Sequence, residues 1–223
     1  MLQNVSAIFS AFRPGQEGGV AIANLITGAA NPSGRLAQNW VRYVGHVGSG
    51  ASPWLQWRVG KWEANTRGVP DPDGRYYNNY NSIPGSASGL ATPLFRLGQG
   101  MSYTTFAYSD VTARATPTAG DTGAAAVVTV TVKNTGAVEG AEVVQVYVQD
   151  PIMSFVRPWK RLVAFKRVTV PAGGSLAVSI TISADELAFH DDSMVLRVVP
   201  GQYTVSVGGD SVSDWDNHVT MEI

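Results

Sequence analysis

Six large rings fall within one stretch of this 223-residue chain: Trp54, Trp57, Trp62, Tyr76, Tyr77 and Tyr80, with Arg75, Asn78 and Asn79 among them. Flat rings stack on the apolar faces of sugars, and guanidinium and amide groups bond to hydroxyls. Trp54, Trp57, Trp62, Arg75, Tyr76 and Tyr77 are therefore candidates for contact with a carbohydrate. The same rings would also fill a seam between packed bodies, and that reading is favoured because aromatic side chains dominate buried interfaces. Trp159 is read as packing for that reason.

The acidic candidates are fewer. Glu17 follows Arg13-Pro14-Gly15 and opens a helical pattern. A carboxylate in a helix's first turn gains about 0.3–1 kcal/mol from the helix dipole, and that placement is preferred over substrate contact, although a Gly-rich turn entering a helix also resembles an anion cradle. Asp191-Asp192 reads as a solvated turn. His46, His190 and His218 are too far apart to suggest a zinc site or a Ser-His-Asp set. With no cysteine in the chain, thiolate metal sites, thiol nucleophiles and disulfides are excluded. No metal or other cofactor is expected.

The elements that would position these groups differ along the chain. Val5, Ala7, Phe9 and Ala11 alternate with polar residues before Arg13-Pro14-Gly15, which predicts a short buried strand over residues 4–12. Gln16–Thr27 carries Val20, Ile22, Ala23, Leu25 and Ile26 near helical spacing and ends at Gly28, which predicts a helix. Strand, turn and helix make half of a βαβ unit, which cannot cover both faces of a sheet without further units, so an upstream body is expected. From Asn31 to about Thr104, Gly, Pro, Ser, Asn and aromatic residues predict long loops. Loops of that length are functional or packed against another body, and packing is the favoured reading.

Beyond Thr104 the pattern changes. Ala126–Lys133, Glu142–Gln149, Lys160–Val170, Ser175–Ser183, Met194–Val198 and Tyr203–Val207 are short β-branched runs separated by turn residues, with a further strand expected at Tyr108–Ala113. About seven antiparallel strands suit an immunoglobulin-like or fibronectin-like sandwich. In Glu142–Gln149 one face reads Val144, Val146, Val148, while the other mixes Val143, Gln145 and Tyr147 and is expected to be partly buried.

Composition narrows the functional classes. Apolar residues form 44% of the chain and charged residues 15%, the balance of a chain that folds. A net charge of −1, with no run of more than two Lys or Arg, lacks the positive field that captures a phosphate backbone, so nucleic acid is not an expected partner. No apolar run approaches the roughly 20 residues that cross a bilayer, and a membrane is not expected either. Met1–Phe9 has no basic leader region, and any signal peptide of a parent protein is expected upstream.

Four segments, in this order, resemble the carboxy-terminal third of glycoside hydrolase family three, the β-glucosidases and β-xylosidases. Arg13-Pro14-Gly15-Gln16-Glu17-Gly18-Gly19, with Ala21-Ile22-Ala23 and Asn31-Pro32-Ser33-Gly34-Arg35-Leu36, is similar to the last strand and helix of that family's α/β sandwich domain. Pro93–Phe106 resembles its crossing into the final domain. Val130–Gly136 with Gly140–Val148, and Arg157-Pro158 through Val168, resemble its fibronectin type III-like domain, a likeness extended by Ala184–Phe189 and Pro200–Tyr203. The stretch from about Val44 to Ser88 departs from the family pattern. The resemblance implies a mainly β chain: residues 1–105 as the terminal remnant of an α/β sandwich domain with a Trp/Tyr-rich insert, and 106–223 as a fibronectin type III/immunoglobulin-like β-sandwich.

It also implies a chemistry. Retaining glycosidases need two carboxyl groups about 5–5.5 Å apart, one nucleophilic and one proton-donating. By the resemblance, the nucleophilic Asp comes from an amino-terminal (β/α)8 barrel and the acid/base from the α/β domain, both upstream, so no catalytic residue is expected in this chain. Ser213-Asp214-Trp215 repeats the letters around the family's nucleophile, but it trails the last expected strand in a terminal tail rather than following a barrel strand, and is read as coincidence. The expected role is the carboxy-terminal portion of a retaining, exo-acting β-glycosidase, inactive alone, whose intact form takes a β-linked oligosaccharide or glycoside and packs this region against the missing barrel and α/β domains. An extracellular or vacuolar/lysosomal parent accords with the resemblance. A non-catalytic carbohydrate- or protein-binding module, and a sandwich that stabilises a separate catalytic subunit, are the competing readings.

Overall fold

A computed structural model of the chain describes residues 5–38, 40, 94–116, 125–151, 160–191, 193–211 and 217–223. The first element is helix α1 (Gly18–Thr27), which starts after Pro14-Gly15 and stops where Gly28 turns left-handed at φ 78° and donates its N–H to the Leu25 carbonyl. That φ is open to glycine at no steric cost. Glu17 is the N-cap residue, one position before the first turn, and its side chain makes no capping bond. The expected first-turn role therefore shifts to the cap position. Residues 5–12 form no strand and pair with no strand among the described residues; Val5, Ile8, Phe9 and Phe12 are exposed, as are Val20 and Ile26 of α1.

The rest is a two-layer antiparallel sandwich. One sheet holds β1 (Phe106–Thr116), β2 (Ala125–Asn134) and β5 (Ser175–Ile182) in the order β1-β2-β5. The other holds β4 (Arg161–Val170), β3 (Gly140–Gln149), β8 (Gln202–Gly208) and β9 (His218–Glu222) in the order β4-β3-β8-β9. Two short strands, β6 (Phe189–His190) and β7 (Leu196–Arg197), pair only with each other. The run Met194–Val198, expected to be a sandwich strand, is thus a hairpin arm. The seventh sandwich strand is β9 instead, paired from Gln202↔Glu222 to Ser206↔His218, so Tyr203–Val207 is not the last strand.

Period-two alternation explains the core. Ala126, Val128, Val130 and Val132 of β2 meet Val144, Val146 and Val148 of β3, with Val178, Ile180 and Ile182 of β5 and Tyr203, Val205 and Val207 of β8 closing the same cluster. Residues two apart along a strand share a face, so each β-branched run delivers its stripe to one side. Between β5 and β6 lies the single turn α2 (Ala184–Leu187), capped by Ser183 Oγ, which accepts from the Glu186 N–H at 3.4 Å. It drops Leu187 into the core with no exposed surface. Truncation there leaves a cavity that the β-sandwich cannot collapse to fill; Leu187→Ala is expected to lower stability by about 2–5 kcal/mol, read from the midpoint of urea unfolding at unchanged slope.

Candidate functional site

The second face of β3, expected to be partly buried, is so only at Val143, which is half-buried, whereas Gln145 and Tyr147 are both buried. The segment 94–104, which crosses from the first part of the chain into β1, covers them. Gln145 Nε2 donates to the Gly98 carbonyl at 3.1 Å and to the Gly209 carbonyl at 2.6 Å, while its Oε1 accepts from Tyr147 Oη at 2.6 Å. Lys160 lies over the Tyr147 ring, 5.0 Å from its centre. Gly98 has φ +78°, and a Cβ there would come within 2.0 Å of Gln145 Oε1. Only a residue without a side chain lets the crossing sit this close to the strand.

At the other end of β3 is a buried ionic cluster. Glu142, 1% exposed, takes Arg35 Nη2 on Oε2 and Tyr108 Oη on Oε1, the latter at 2.6 Å. Arg35 Nη1 also donates to the Gly100 carbonyl, and its buried Nε meets no acceptor among the described residues. Burial raises the Glu142 pKa above the ordinary glutamate value; the nearby negative charge of Asp210 adds to this, while Arg35 and Tyr108 oppose it. Burial also raises the Tyr108 phenol, reinforced by the Glu142 charge, so Tyr108 stays a donor. These groups come from three regions: the loop after α1, strand β1 and strand β3.

Asparagine side chains complete the seam. Asn31 Oδ1 accepts from Ser102 Oγ at 2.7 Å and from the Tyr103 N–H at 2.9 Å, while its Nδ2 donates to the Glu139 carbonyl at 3.0 Å. Asn134, fully buried, accepts from Thr104 Oγ1 at 2.5 Å and from the Gly136 N–H at 3.0 Å, and donates to the Val138 and Val170 carbonyls. An amide with two donors and an acceptor satisfies carbonyls both in the turn and at the end of β4. The seam is chemically a fastening: every oxygen of its central carboxylate is already occupied.

The carbohydrate candidates Trp54, Trp57, Trp62, Arg75, Tyr76 and Tyr77 lie outside the described residues, as do Trp159, Asp192, Asp214 and His46. Asp191 is described and caps the β6–β7 turn, accepting from the N–H groups of Ser193 at 2.9 Å and Val195 at 3.0 Å with Arg197 alongside; the Val195 N–H is the main reason its carboxyl sits below the usual range. Asp150 is buried and held by Arg161 through two bonds of 3.1 and 3.3 Å. His190 and His218 stand on β6 and β9, and no cluster of three or more metal-binding side chains occurs among the described residues. The members of the Arg35–Tyr108–Glu142 cluster were not singled out by sequence as a group. The available signal was Glu142 and Gln145 set in an otherwise apolar strand.

Comparison with known proteins gives the context. Residues 1–103 match the glycosyl hydrolase family 3 C-terminal domain, and residues 142–211 match the fibronectin type III-like domain. Over 216 residues the chain is 35% identical to a periplasmic β-glucosidase of Salmonella typhimurium, covering 94% of this chain and 25% of that protein. It is 36% identical over 216 residues to a β-xylosidase of Formosa agariphila, covering 95% of this chain and 26% of that protein. Among solved structures, a β-glucosidase from Erythrobacter marinus superposes with a TM-score of 0.74 at 30% identity, over 99% of this chain and 26% of that one. A Listeria innocua β-glucosidase in complex with glucose gives 0.72 at 29% identity, over 94% and 26%. The chain spans about a quarter of the length of these relatives.

Two outcomes follow from the seam. Gly98→Ala forces a left-handed φ on a side chain and a clash with Gln145; a loss of about 2 kcal/mol or more is expected in chemical denaturation. Because the folded-state pKa of Glu142 is raised, the native chain holds its proton over a range where the unfolded chain has lost it. Its contribution is full below the ordinary value of about 4.3 and is lost as pH rises through the raised one. Glu142→Gln is therefore expected to gain on the parent in stability as pH climbs from about 4.3, measured by urea titrations at a series of pH values.

Proposed function

Since this chain belongs with the carboxy-terminal region of glycosyl hydrolase family 3, joining that family's C-terminal domain to a fibronectin type III-like domain, we propose that it is the carboxy-terminal portion of a retaining, exo-acting β-glycosidase and is inactive alone. Residues 1–105 are the end of an α/β domain and 106–223 the sandwich. Both catalytic carboxylates lie outside it, and the apolar side chains left exposed on residues 5–12 and α1 pack against the barrel and α/β domains of the intact enzyme. Cleavage with retention needs one carboxylate free to attack and one free to donate a proton.

The observation that carries this reading is the fate of Glu142. It has burial and a raised pKa, the attributes of a catalytic acid, yet Arg35 and Tyr108 occupy both of its oxygens. Asp150 is likewise committed to Arg161. Relatives about four times as long, named as β-glucosidase and β-xylosidase, support an active site assembled mainly from sequence not present in this chain. Substrates are β-linked glucosides or xylosides.

In that enzyme Trp54, Trp57, Trp62, Arg75, Tyr76 and Tyr77 contribute ring faces and a cation to the rim of the sugar site. A separate binding-module role is the second reading, favoured by this aromatic composition. The isolated chain is expected to show no turnover of aryl β-glucosides or β-xylosides; hydrolysis that persists in Glu17→Gln/Asp214→Asn would overturn the proposal. Titration with cello- and xylo-oligosaccharides, followed by tryptophan fluorescence, separates the binding module, which quenches saturably, from simple packing, which does not respond.

A further inference from the structure

The chain passes out of the described structure after Trp40 and re-enters at Leu94, and the two ends are held side by side. Leu36 bonds to two residues of the other arm around this neck: its N–H donates to the Gln99 carbonyl at 3.0 Å, and its carbonyl accepts from the Gly98 N–H at 2.7 Å. Further out, the Trp40 N–H donates to the Phe95 carbonyl at 2.8 Å and the Leu94 N–H to the Trp40 carbonyl at 2.6 Å. The Trp40 ring packs edge-on against Phe95 and Phe12, with centres 5.8 and 6.5 Å apart. With the weaker Phe95 N–H bond to the same Trp40 carbonyl at 3.3 Å, five backbone bonds and one aromatic group among the described residues are little to hold two chain ends. An isolated two-stranded ribbon is marginal in water.

What secures the neck is the sandwich. Arg35 stands immediately before Leu36 and reaches both Gly100, at the opposite arm, and Glu142 on β3. Gln145, three residues along the same strand, holds Gly98 on that arm. The Leu97 carbonyl accepts from the Ser211 N–H at 3.1 Å, beyond the end of β8. One guanidinium therefore touches both arms of the neck and the sheet together, in a site where water does not compete. A buried carboxylate deprived of its cation is strongly disfavoured, so breaking this contact and opening the neck are linked.

We propose that Arg35 and Glu142 form a clasp that closes the neck, and that its release opens residues 35–38, 40 and 94–100 as a unit while the sandwich stays folded. The clasp fixes where the intervening sequence starts and finishes relative to β3. Arg35 is a positioning residue, and the proposal is independent of the glycosidase reading.

Native-state hydrogen exchange on the full chain tests it, with the Leu36, Gly98 and Trp40 amides reporting the neck and Val128 and Ile180 reporting the other sheet. In the parent, the neck amides are expected to exchange through an opening with a shallower urea dependence than that of Val128 and Ile180. In Arg35→Met their protection is expected to fall about tenfold or more. Arg35→Gln, which keeps a polar group on the arm but removes the cation, gives the same loss in milder form and serves if Arg35→Met does not fold. Neck amides that share the sandwich's urea slope in the parent, or that keep their protection in the variants, would overturn the clasp.

Discussion

A carboxylate cannot be left alone inside a valine-rich strand. Removing the charge of Glu142 from water is costly unless donors replace the lost solvent, and the structure answers from two directions, with a guanidinium from the loop after α1 and a phenol from β1. That requirement draws the first part of the chain onto the sandwich. Gln145 and Asn134 repeat it with neutral amides, each satisfying backbone groups at places where the ladder ends. The seam is thus organised by polar groups that the strands could bury only when the crossing segment lay across them.

The strands were legible because a β-branched residue at every second position is both a propensity and a burial signal. β2, β3, β4 and β5 begin and end within about two residues of where alternation and turn residues place them. β9 was missed because His218–Glu222 offers only Val219 and Met221 as apolar positions, and its identity comes from pairing with β8 rather than from its own pattern. The opposite holds for residues 5–12, whose alternation is real but meets no partner strand among the described residues. Glu17 shows how close two helix positions are: one residue separates a first-turn carboxylate from a cap.

The seam was less legible than the fold. Arg35 and Glu142 were each visible inside family motifs, but nothing local indicates that residues 107 positions apart share a bond. Charge pairing across such separation is a property of the assembled layers, whereas strand formation is readable from a few neighbours. The glycines are similar. Gly98 reads as an ordinary loop glycine in the sequence, and only the approach of Gln145 explains why no side chain fits. For the aromatic candidates, sequence remains the source of the argument, resting on ring chemistry alone.

The span between Arg35 and Glu142 has a kinetic side. Bringing together groups this distant in the chain costs loop entropy before any reward is returned, and the pair has no binding surface until β3 lies within its sheet. A bond of this kind, made only after the rate-limiting barrier, belongs to the closing stage of folding. Its strength is expressed in the rate at which the native chain comes apart and hardly at all in the rate at which it assembles. A chevron plot carries the signature in its unfolding arm.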